Sequence, residues 1–311
     1  MAMTPIVSII IQNKNEKDNV IECLDAIRRS DKEPPSIQII IVDIKSTDDS
    51  VAVIRKKLLD MKKEGFIDSA LIETETDKGG PDAYVRAFAH VRRDYAYLMK
   101  LDNDLLVDPH CLTELVRMAE SDERIGFVGG KVYMYRNGPT NQFHLIGVYF
   151  GPFIDAGGYV GAWEEDDGQY DQAMELGALH GAMLLVKRSV IEKIGLMDTD
   201  YFLYHDDLDW CYRGKKAGFR IMYVPTAKGW HKVSPNRGTV TNRFVYHSTR
   251  STIIFARKHY GYAHFFLYYI YNLLFLQRAL LVRALKSNRY DAFKVLAKAN
   301  ADALLSHLHK P

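Results

Sequence analysis

Short runs rich in Ile, Val and Leu alternate with amphipathic stretches through the first third of the chain. We expect strands at residues 6–11, 37–42, 69–73 and 97–101, and helices at residues 20–27, 51–61 and 83–93. Because these strands are apolar on both faces and separated by helices, they predict a mostly parallel sheet covered by helices on both sides. Ligands of such sheets bind beyond the carboxyl ends of the strands, so we expect the chemistry in the loops that follow them.

The composition is that of a folded protein, with 47% hydrophobic and 26% charged residues among 311. The net charge is only +2, but residues 210–290 contain fifteen Lys and Arg and no acidic residue. Such a surface favours phosphate, diphosphate or acidic lipid headgroups as partners, and no nucleic acid is expected. Cys23, Cys111 and Cys211 lie far apart, which favours core packing in a reducing compartment. Residues 1–8 lack a signal-peptide pattern, so we expect a cytoplasmic protein.

The second half of the chain is less regular at first and then returns to strands and helices. Residues 126–171 predict irregular structure, with the acidic run 164–167 interpreted as a solvated loop or lid rather than a second metal site. We expect strands at 176–186 and 220–224, the latter ended by Pro225, and helices at 190–194 and 207–217. The predicted organisation is a catalytic domain over residues 1–245 and a helical extension over residues 246–311.

Residues 263–285 form an apolar, Tyr-rich segment in the predicted extension. Its uncharged part, residues 265–276, is shorter than a bilayer span, and Arg278 and Arg283 interrupt its continuation. A helix lying in the membrane interface, at the inner face of the membrane, explains both features. Packing of the same helix on the sheet domain or on a second subunit of a homo-oligomer explains them equally well.

Asp102 and Asp104 directly follow the apolar strand 97–101. Two carboxylates one residue apart at a strand end can face one cleft, and oxygen ligands of this kind suit Mg²⁺ or Mn²⁺ bridging a diphosphate. The metal would neutralise charge on a leaving diphosphate. A loop or cap role explains an isolated Asp-x-Asp equally well, so its position at the strand end carries the prediction.

Three acidic residues, Asp206, Asp207 and Asp209, begin the predicted helix at 207–217. They could simply stabilise the positive end of the helix dipole. Crowding of like charges also raises the pKa of one carboxyl group, which suits a general base, and we assign that role to Asp207. His231, beyond Pro225, is a candidate to complete the metal shell.

Gly79 and Gly80 precede the predicted helix at 83–93, and Arg86 lies within it. Glycines before a helix N-terminus let backbone amides approach an anion, and Arg86 could then reach a diphosphate or its sugar. A plain turn explains the same pattern.

Taken in order, these segments resemble the family 2 glycosyltransferases of the GT-A fold over roughly residues 6–258. The matching segments are residues 7–11 with Asn15 and Glu16, residues 41–43 with 46–48, residues 77–86, Asp102 with Asp104, residues 181–184, 195–198 and 202–209, and Pro225 with His231. The segment at 77–86 is similar to that of rhamnosyl- and galactofuranosyltransferase-like members. Lys14, Ile44, Lys45 and Asp206 depart from the usual residues, which leaves the donor nucleotide open.

The resemblance implies a metal-dependent, inverting glycosyltransferase with a nucleotide-diphosphate sugar donor of UDP or dTDP type. It implies donor contacts at Asn13, Asn15, Asp43, Gly79, Gly80, Arg86 and Asp102, a metal at Asp102, Asp104 and His231, and a catalytic base at Asp207. The implied acceptor is a glycan or a lipid-linked saccharide. Two alternatives remain. A sugar-nucleotide pyrophosphorylase would carry a Gly-rich loop after the first strand, and this chain has none there; a silent sugar-binding scaffold would not need the acids to be intact.

Overall fold

The computed structural model describes residues 6–31, 36–63, 68–151, 153, 158–232 and 240–305. Within them, one large sheet and one small sheet are surrounded by helices. The strands are β1 (Ile6–Asn13), β2 (Ser36–Ile44), β3 (Asp68–Thr74), β4 (Tyr97–Leu101), β5 (Leu105–Val107), β6 (Ile125–Tyr135), β7 (Pro139–Phe143), β8 (Gly147–Val148), β9 (Tyr159–Val160), β10 (Met174–Glu175), β11 (Ala178–Leu179), β12 (Met183–Lys187) and β13 (Arg220–Lys232).

Helices follow most strands of the first half and form the whole described C-terminal region. They are α1 (Lys17–Arg28), α2 (Ser50–Lys63), α3 (Gly80–Phe88), α4 (Cys111–Glu120), α5 (Arg188–Ile194), α6 (Asp206–Lys216), α7 (Asn242–His259), α8 (Tyr262–Tyr271), α9 (Arg278–Lys286) and α10 (Ala292–Leu305). A π-helical stretch, Asn272–Gln277, joins α8 to α9.

The large sheet has the order β10-β13-β6-β12-β4-β1-β2-β3. Strands β1 to β4 are parallel, whereas β12 runs antiparallel between β4 and β6. Asn13 of β1 pairs with Asp43 of β2, and Ile11 pairs with Leu101, so the polar residues after these strands share one edge. This arrangement confirms the predicted α/β class with a mostly parallel sheet, flanking helices and a helical C-terminal region.

Alternate residues of β1 are buried on opposite faces of the sheet. Ile9 and Ile11 belong to a core that contains Leu24 of α1, whereas Ile10 belongs to a second core with Trp210 of α6. Because side chains alternate along a strand, an all-apolar run fills both cores at once. The double burial fixes the register and with it the positions of the loops at the strand ends.

Several predicted elements differ from the structure, and the helix predicted at 83–93 is α3, which ends at Phe88. The segment predicted as irregular contains β6, whose three glycines weaken its strand signal. The single strand predicted at 176–186 is two strands, β11 and β12, separated by a turn around Gly181. The prediction that Pro225 ends a strand is wrong, because β13 continues to Lys232. A register shift between Val224 and Lys228 accommodates the proline, which has no N–H to donate to the ladder.

The C-terminal helices pack on one another and on the sheet domain. Helix α10 packs against α7, and the predicted boundary at residue 245 falls within α7, so the division into domains stays a prediction. Because the π-helical stretch makes α8 and α9 continuous, Tyr262–Lys286 is one helix of 25 residues, and its most apolar 18-residue window has a mean hydropathy of 1.5. By length and composition this helix could cross a membrane, and only 17% of its most apolar window is buried.

Candidate active site

The carboxylates after β4 and an imidazole from β13 meet at the same edge of the sheet. Pairing of β13 with β5 places His231 opposite Leu105, beside the loop that carries Asp102 and Asp104. Nε2 of His231 lies 2.9 Å from Oδ1 of Asp104 and 3.7 Å from Oδ2 of Asp102. One ligand atom from each residue lies within 4.8 Å of the other two. Carboxylates suit Mg²⁺ and Mn²⁺ and imidazole suits transition ions, so this metal trio fits a divalent cation such as Mn²⁺.

Lys100 connects the metal trio to the opposite wall of the site. Its Nζ lies 2.9 Å from Oδ1 of Asp102 and donates a 2.7 Å hydrogen bond to the carbonyl oxygen of Gly181. Burial alone would raise the pKa of Asp102, but Lys100 and His231 outweigh burial and hold that pKa well below its usual range. In the same way the trio's acids outweigh burial and raise the pKa of His231 to about 9. Asp102 is therefore a carboxylate that can serve as an oxygen ligand.

Asp206 and Asp207 begin α6 on the far side of the same pocket. Both line a cavity of about 460 Å³ together with Asp102, Lys100 and His231. Burial, followed by the charge of Asp207, raises the pKa of Asp206 to about 6. The crowding expected from the sequence is thus present, and the raised pKa falls on Asp206. A Cβ on Gly181 would lie only 2.3 Å from Oδ2 of Asp207, so that carboxylate rests directly on the backbone of Gly181.

The turn before α6 is held in an uncommon conformation. Tyr204 and His205 have φ values of 66° and 65°, in the left-handed region that residues other than glycine rarely adopt. Helix α7 secures this turn, since Ser251 donates to the carbonyl oxygen of Leu203 and Thr252 lies 3.1 Å from Nε2 of His205. Strained backbone of this kind persists only where the surroundings support it, and here it precedes the acid pair.

The residues predicted to hold the nucleotide form a separate cluster after β1 and β2. Asp43 is almost fully buried, and its carboxylate accepts bonds from Asn13 Nδ2 at 2.7 Å, Ser46 N at 2.8 Å and Ser46 Oγ at 2.6 Å. Asn15 accepts a 2.7 Å bond from the backbone N–H of Thr47. The structure therefore brings Asn13, Asn15 and Asp43 together, with the carboxylate of Asp43 shaping the loop.

Of the predicted diphosphate contacts, the structure places only part at the pocket. Gly80 lines it, and Gly79 adjoins Phe202, whose carbonyl oxygen accepts a 3.1 Å bond from the backbone N–H of Gly80. Arg86 does not line the pocket. Its Nε lies 2.6 Å from Asp82, one helical turn away, and the side chain is 44% exposed. Because α3 turns Arg86 toward solvent, its predicted contact with the donor stays a prediction.

The acidic run at 164–167 is tied to the protein by a buried cation. Lys131 Nζ lies 2.7 Å from Asp166 and 2.6 Å from Asp171, and Tyr133 also donates to Asp166. The lysine side chain is only 3% exposed. An ammonium group thus occupies the position that a metal would need between these two acids.

Sequence reasoning did not single out Gln12, Lys100 and His180, which line the pocket, or His144, whose ring lies beside that of His231. A lysine within the otherwise apolar β4 was a readable signal for Lys100, since buried lysines are rarely unpaired. His144 and His180 lie in irregular or short elements, where no periodicity marks them. Their imidazole rings lie next to His231, at centroid distances of 4.8 and 5.8 Å.

Comparisons with known proteins match the part of the chain that carries the acids after β4. The profile of Glycosyl transferase family 2 matches residues 8–195, which include Asp102, Asp104 and Gly181. The chain belongs to glycosyl transferase family 2. Family membership sets aside the alternative of a sugar-nucleotide pyrophosphorylase.

Curated relatives resemble parts of this chain. It is 37% identical over 87 residues to an N-acetylglucosaminyl-diphospho-decaprenol L-rhamnosyltransferase of Mycobacterium tuberculosis (strain CDC 1551 / Oshkosh), which covers 28% of each chain. It is 22% identical over 232 residues to the poly-beta-1,6-N-acetyl-D-glucosamine synthase of Staphylococcus epidermidis, covering 75% of this chain and 51% of the synthase. The chain thus matches about a quarter to a half of these relatives' lengths.

Solved structures share the fold at low identity. The mannosyltransferase PcManGT from Pyrobaculum calidifontis, in complex with GDP-Man and Mn²⁺, has a TM-score of 0.59 and 18% identity, covering 97% of this chain and 81% of that one. GalNAc-T7 with UDP, GalNAc and Mn²⁺ has a TM-score of 0.61 and 14% identity, covering 82% and 48%. These similarities confirm the GT-A fold of the family 2 protein described here.

Proposed function

We propose that this protein transfers a sugar from a nucleotide-diphosphate donor to a hydroxyl acceptor, with inversion at the anomeric carbon. The supporting observation is that Asp102 and His231 of the metal trio line one pocket with Asp206 and Asp207, and that Lys100 and Gly181 join the two sides. Charge neutralisation at one end and proton removal at the other are the two demands of this reaction.

Asp102, Asp104 and His231 would hold Mg²⁺ or Mn²⁺ on the donor diphosphate. Such an ion stabilises the negative charge that develops as the diphosphate leaves. Lys100 holds Asp102 in its carboxylate form and fixes its orientation toward Asp104 and His231. The loop of Asn13, Asn15 and Asp43 lies at the same sheet edge and would hold the nucleotide, for which we propose a UDP or dTDP donor.

Asp207 would act as the general base. It removes the proton of the acceptor hydroxyl, whose oxygen attacks the anomeric carbon from the face opposite the diphosphate. The bond between carbon and diphosphate oxygen breaks, and the diphosphate leaves with the electron pair. Asp207 is favoured over Asp206 by the family resemblance, and its Oδ2 is positioned by the backbone of Gly181.

Paired amide substitutions test the base. We expect Asp207→Asn to lower transfer by about a hundredfold to ten-thousandfold, while titration with UDP and Mn²⁺ measures nearly unchanged nucleotide binding. Asp206→Asn is the matched control and should retain more transfer. The opposite order would assign the base to Asp206. A wild-type protein that releases no nucleotide from any of a panel of UDP, dTDP and GDP sugars with Mn²⁺ would instead support a silent sugar-binding protein.

We also propose that the acceptor is a lipid-linked saccharide or glycan met at the inner face of the cytoplasmic membrane. The helix Tyr262–Lys286 carries an unpartnered apolar face. Its exposed large side chains are Phe266, Leu267, Ile270, Leu273, Leu274, Phe275, Val282 and Leu285. Arg278, Arg283 and Lys286 lie exposed on the same helix, and no acidic residue occurs from 210 to 290. Apolar side chains beside cations match a membrane interface with anionic lipid.

The opposite side of this helix is fixed to the protein by buried amides. Gln277 donates to Asn272 at 2.7 Å, Asn300 donates to Gln277 at 2.9 Å, and Tyr269 donates to Asn300 at 2.8 Å. These bonds tie the helix to α10. The opposite, apolar face of the helix would therefore rest on the membrane surface. We therefore favour a peripheral position over a membrane span.

Vesicle binding tests the membrane proposal. Leu274→Glu should weaken cosedimentation with phosphatidylglycerol vesicles by about tenfold or more, because a charge on the apolar face must be desolvated. Leu59→Glu replaces a comparably exposed leucine on α2 and serves as the control. Release of the wild-type protein by alkaline carbonate would support a peripheral position, and retention would support a span. A dimer that Leu274→Glu dissociates, without vesicle binding, would assign the face to a second copy.

A further inference from the structure

Three histidines from separate parts of the chain lie together: His231 of the metal trio, His144 and His180. His144, after β7, is nearly buried, and its ring lies 4.5 Å from that of His180 and 4.8 Å from that of His231. His180 Nδ1 accepts a 3.2 Å hydrogen bond from the backbone N–H of Ala182. Of the three, only His231 directs a ring nitrogen at Asp102 and Asp104 among the described residues.

The two ring nitrogens of His231 have different partners on opposite sides. Nε2 faces the carboxylates of the trio, whereas Nδ1 lies 3.0 Å from Nδ1 of His144. The two rings are nearly parallel, with planes that differ by 14°. A contact of 3.0 Å between two imidazole nitrogens is a hydrogen bond in which one nitrogen donates a proton and the other offers a lone pair.

Coordination decides which way this hydrogen bond runs. A histidine that binds a metal through Nε2 uses the lone pair of that nitrogen, so its Nδ1 carries the proton. His144 must then accept, with the lone pair of its own Nδ1. Acceptors at this position orient ligating imidazoles in metal sites and raise their basicity.

The surroundings of His144 hold it in place for this task. Its backbone N–H donates to the carbonyl oxygen of Val132 in β6 at 2.7 Å, and the preceding Phe143 pairs with Tyr133. Trp163 packs edge-on to the ring at 6.2 Å. The imidazole is therefore anchored to the central sheet, as His231 is.

We propose that His144 is a positioning residue that accepts a hydrogen bond from Nδ1 of His231 and so presents Nε2 of His231 to the divalent metal. This assignment rests on the proposed metal site. It does not depend on the identity of the sugar or of the acceptor. His144, in a segment that no sequence pattern marks, thus supports His231 on the side away from the metal.

Two substitutions of His144 separate the hydrogen bond from ring packing. Phe keeps an aromatic ring but has no acceptor, whereas Asn is smaller and offers an amide oxygen that can accept. The probe is Mn²⁺ alone, with free ion measured by electron paramagnetic resonance. We expect His144→Phe to weaken Mn²⁺ binding by about tenfold to a hundredfold and His144→Asn to recover most of that loss, with unchanged circular dichroism for both variants.

Equal Mn²⁺ affinity in His144→Phe and wild type would overturn the assignment, as would equal losses in the two folded variants. Wild-type protein that binds no Mn²⁺ would overturn the metal site and this assignment with it, whereas Mn²⁺ binding without sugar transfer would overturn the proposed reaction alone. Nitrogen-15 spectra of histidine-labelled wild-type protein with Zn²⁺ give a test that needs no folded His144 variant. We expect His231, assigned with His231→Gln, in the Nδ1-protonated tautomer, and an Nδ1 without a proton would contradict the proposal.

Discussion

The carboxylate of Asp207 rests on the backbone of Gly181, and this contact leaves no space for a side chain at residue 181. A Cβ at residue 181 would come within 2.3 Å of Oδ2 and 2.9 Å of Cγ of Asp207. The carbonyl oxygen of Gly181 also accepts the bond from Lys100 that leads to Asp102. One glycine therefore sets the separation between the proposed base and the proposed metal site.

Gly181→Ala should lower kcat by about a hundredfold or more, because displacing a reacting group by roughly 1 Å has an effect of that size. Steady-state kinetics would measure the loss, and circular dichroism would show that the fold persists. Gly261→Ala is the control, since a Cβ there meets no atom within 4 Å. Full activity in Gly181→Ala would show that Asp207 does not need this position.

Gly79 and Gly80 are adjacent but should respond differently to the same substitution. Gly79 has φ +93°, and a Cβ would lie 2.4 Å from the carbonyl oxygen of Phe202, whereas a Cβ on Gly80 meets only the side chain of Gln12 at 3.1 Å. We expect Gly79→Ala to reduce the free energy of unfolding by about 1–3 kcal/mol, because strain at a left-handed residue costs that much. Gly80→Ala should change it far less in urea denaturation. Equal effects would contradict this description of the turn.

The sequence was sufficient for the parallel half of the sheet and for the position of Asp102 and Asp104, because both depend on local signals. Strands such as β1 and β4 are apolar throughout, and Asp102 follows β4 directly. The position of Asp102 at the ligand-binding edge of the sheet then follows from general rules for parallel sheets. His231 was a weaker candidate that the resemblance strengthened, since its distance from Asp102 along the chain hides their proximity.

Other features depend on packing that no local pattern records. The glycines of β6 hide a central strand, and the register shift that lets β13 pass Pro225 is visible only in the paired strands. Crowding of acids predicted a raised pKa, but burial decides that Asp206 has it. The direction of the Arg86 side chain is also visible only in the structure, where this residue pairs with Asp82 outside the pocket.

Lys131 should be essential for the order of the acidic segment. Lys131→Met removes the cation between Asp166 and Asp171. The largely buried carboxylate of Asp166 then lacks its counter-charge. We expect a loss of roughly 3 kcal/mol in the free energy of unfolding, typical of breaking a buried ion pair. Limited proteolysis should also cleave faster within residues 164–171. Lys193→Met, at a surface lysine, is the control, and equal stability of the two variants would contradict the role of Lys131.

Asp209 joins α6 to α7 and should make the free energy of unfolding depend on pH in the acidic range. Its carboxylate is fully buried, with Arg213 Nε at 2.7 Å, His259 Nε2 at 2.7 Å and the hydroxyl of Tyr201 at 3.2 Å. Burial opposes ionisation, but the hydrogen bond from His259 and the charge of Arg213 outweigh it and lower the pKa of Asp209.

A carboxyl group whose pKa is lower in the folded state stabilises the fold above its unfolded pKa, near 3.9, and loses that contribution as pH falls through the folded pKa. We therefore expect the free energy of unfolding of the wild type to fall as the pH drops below about 5, and more steeply than that of Asp209→Asn. The variant should itself be less stable near neutral pH by roughly 3 kcal/mol, because it leaves Arg213 and His259 without a buried counter-charge. Urea denaturation across this range measures both effects. Parallel pH profiles for the two proteins would mean that other carboxyl groups govern acid unfolding.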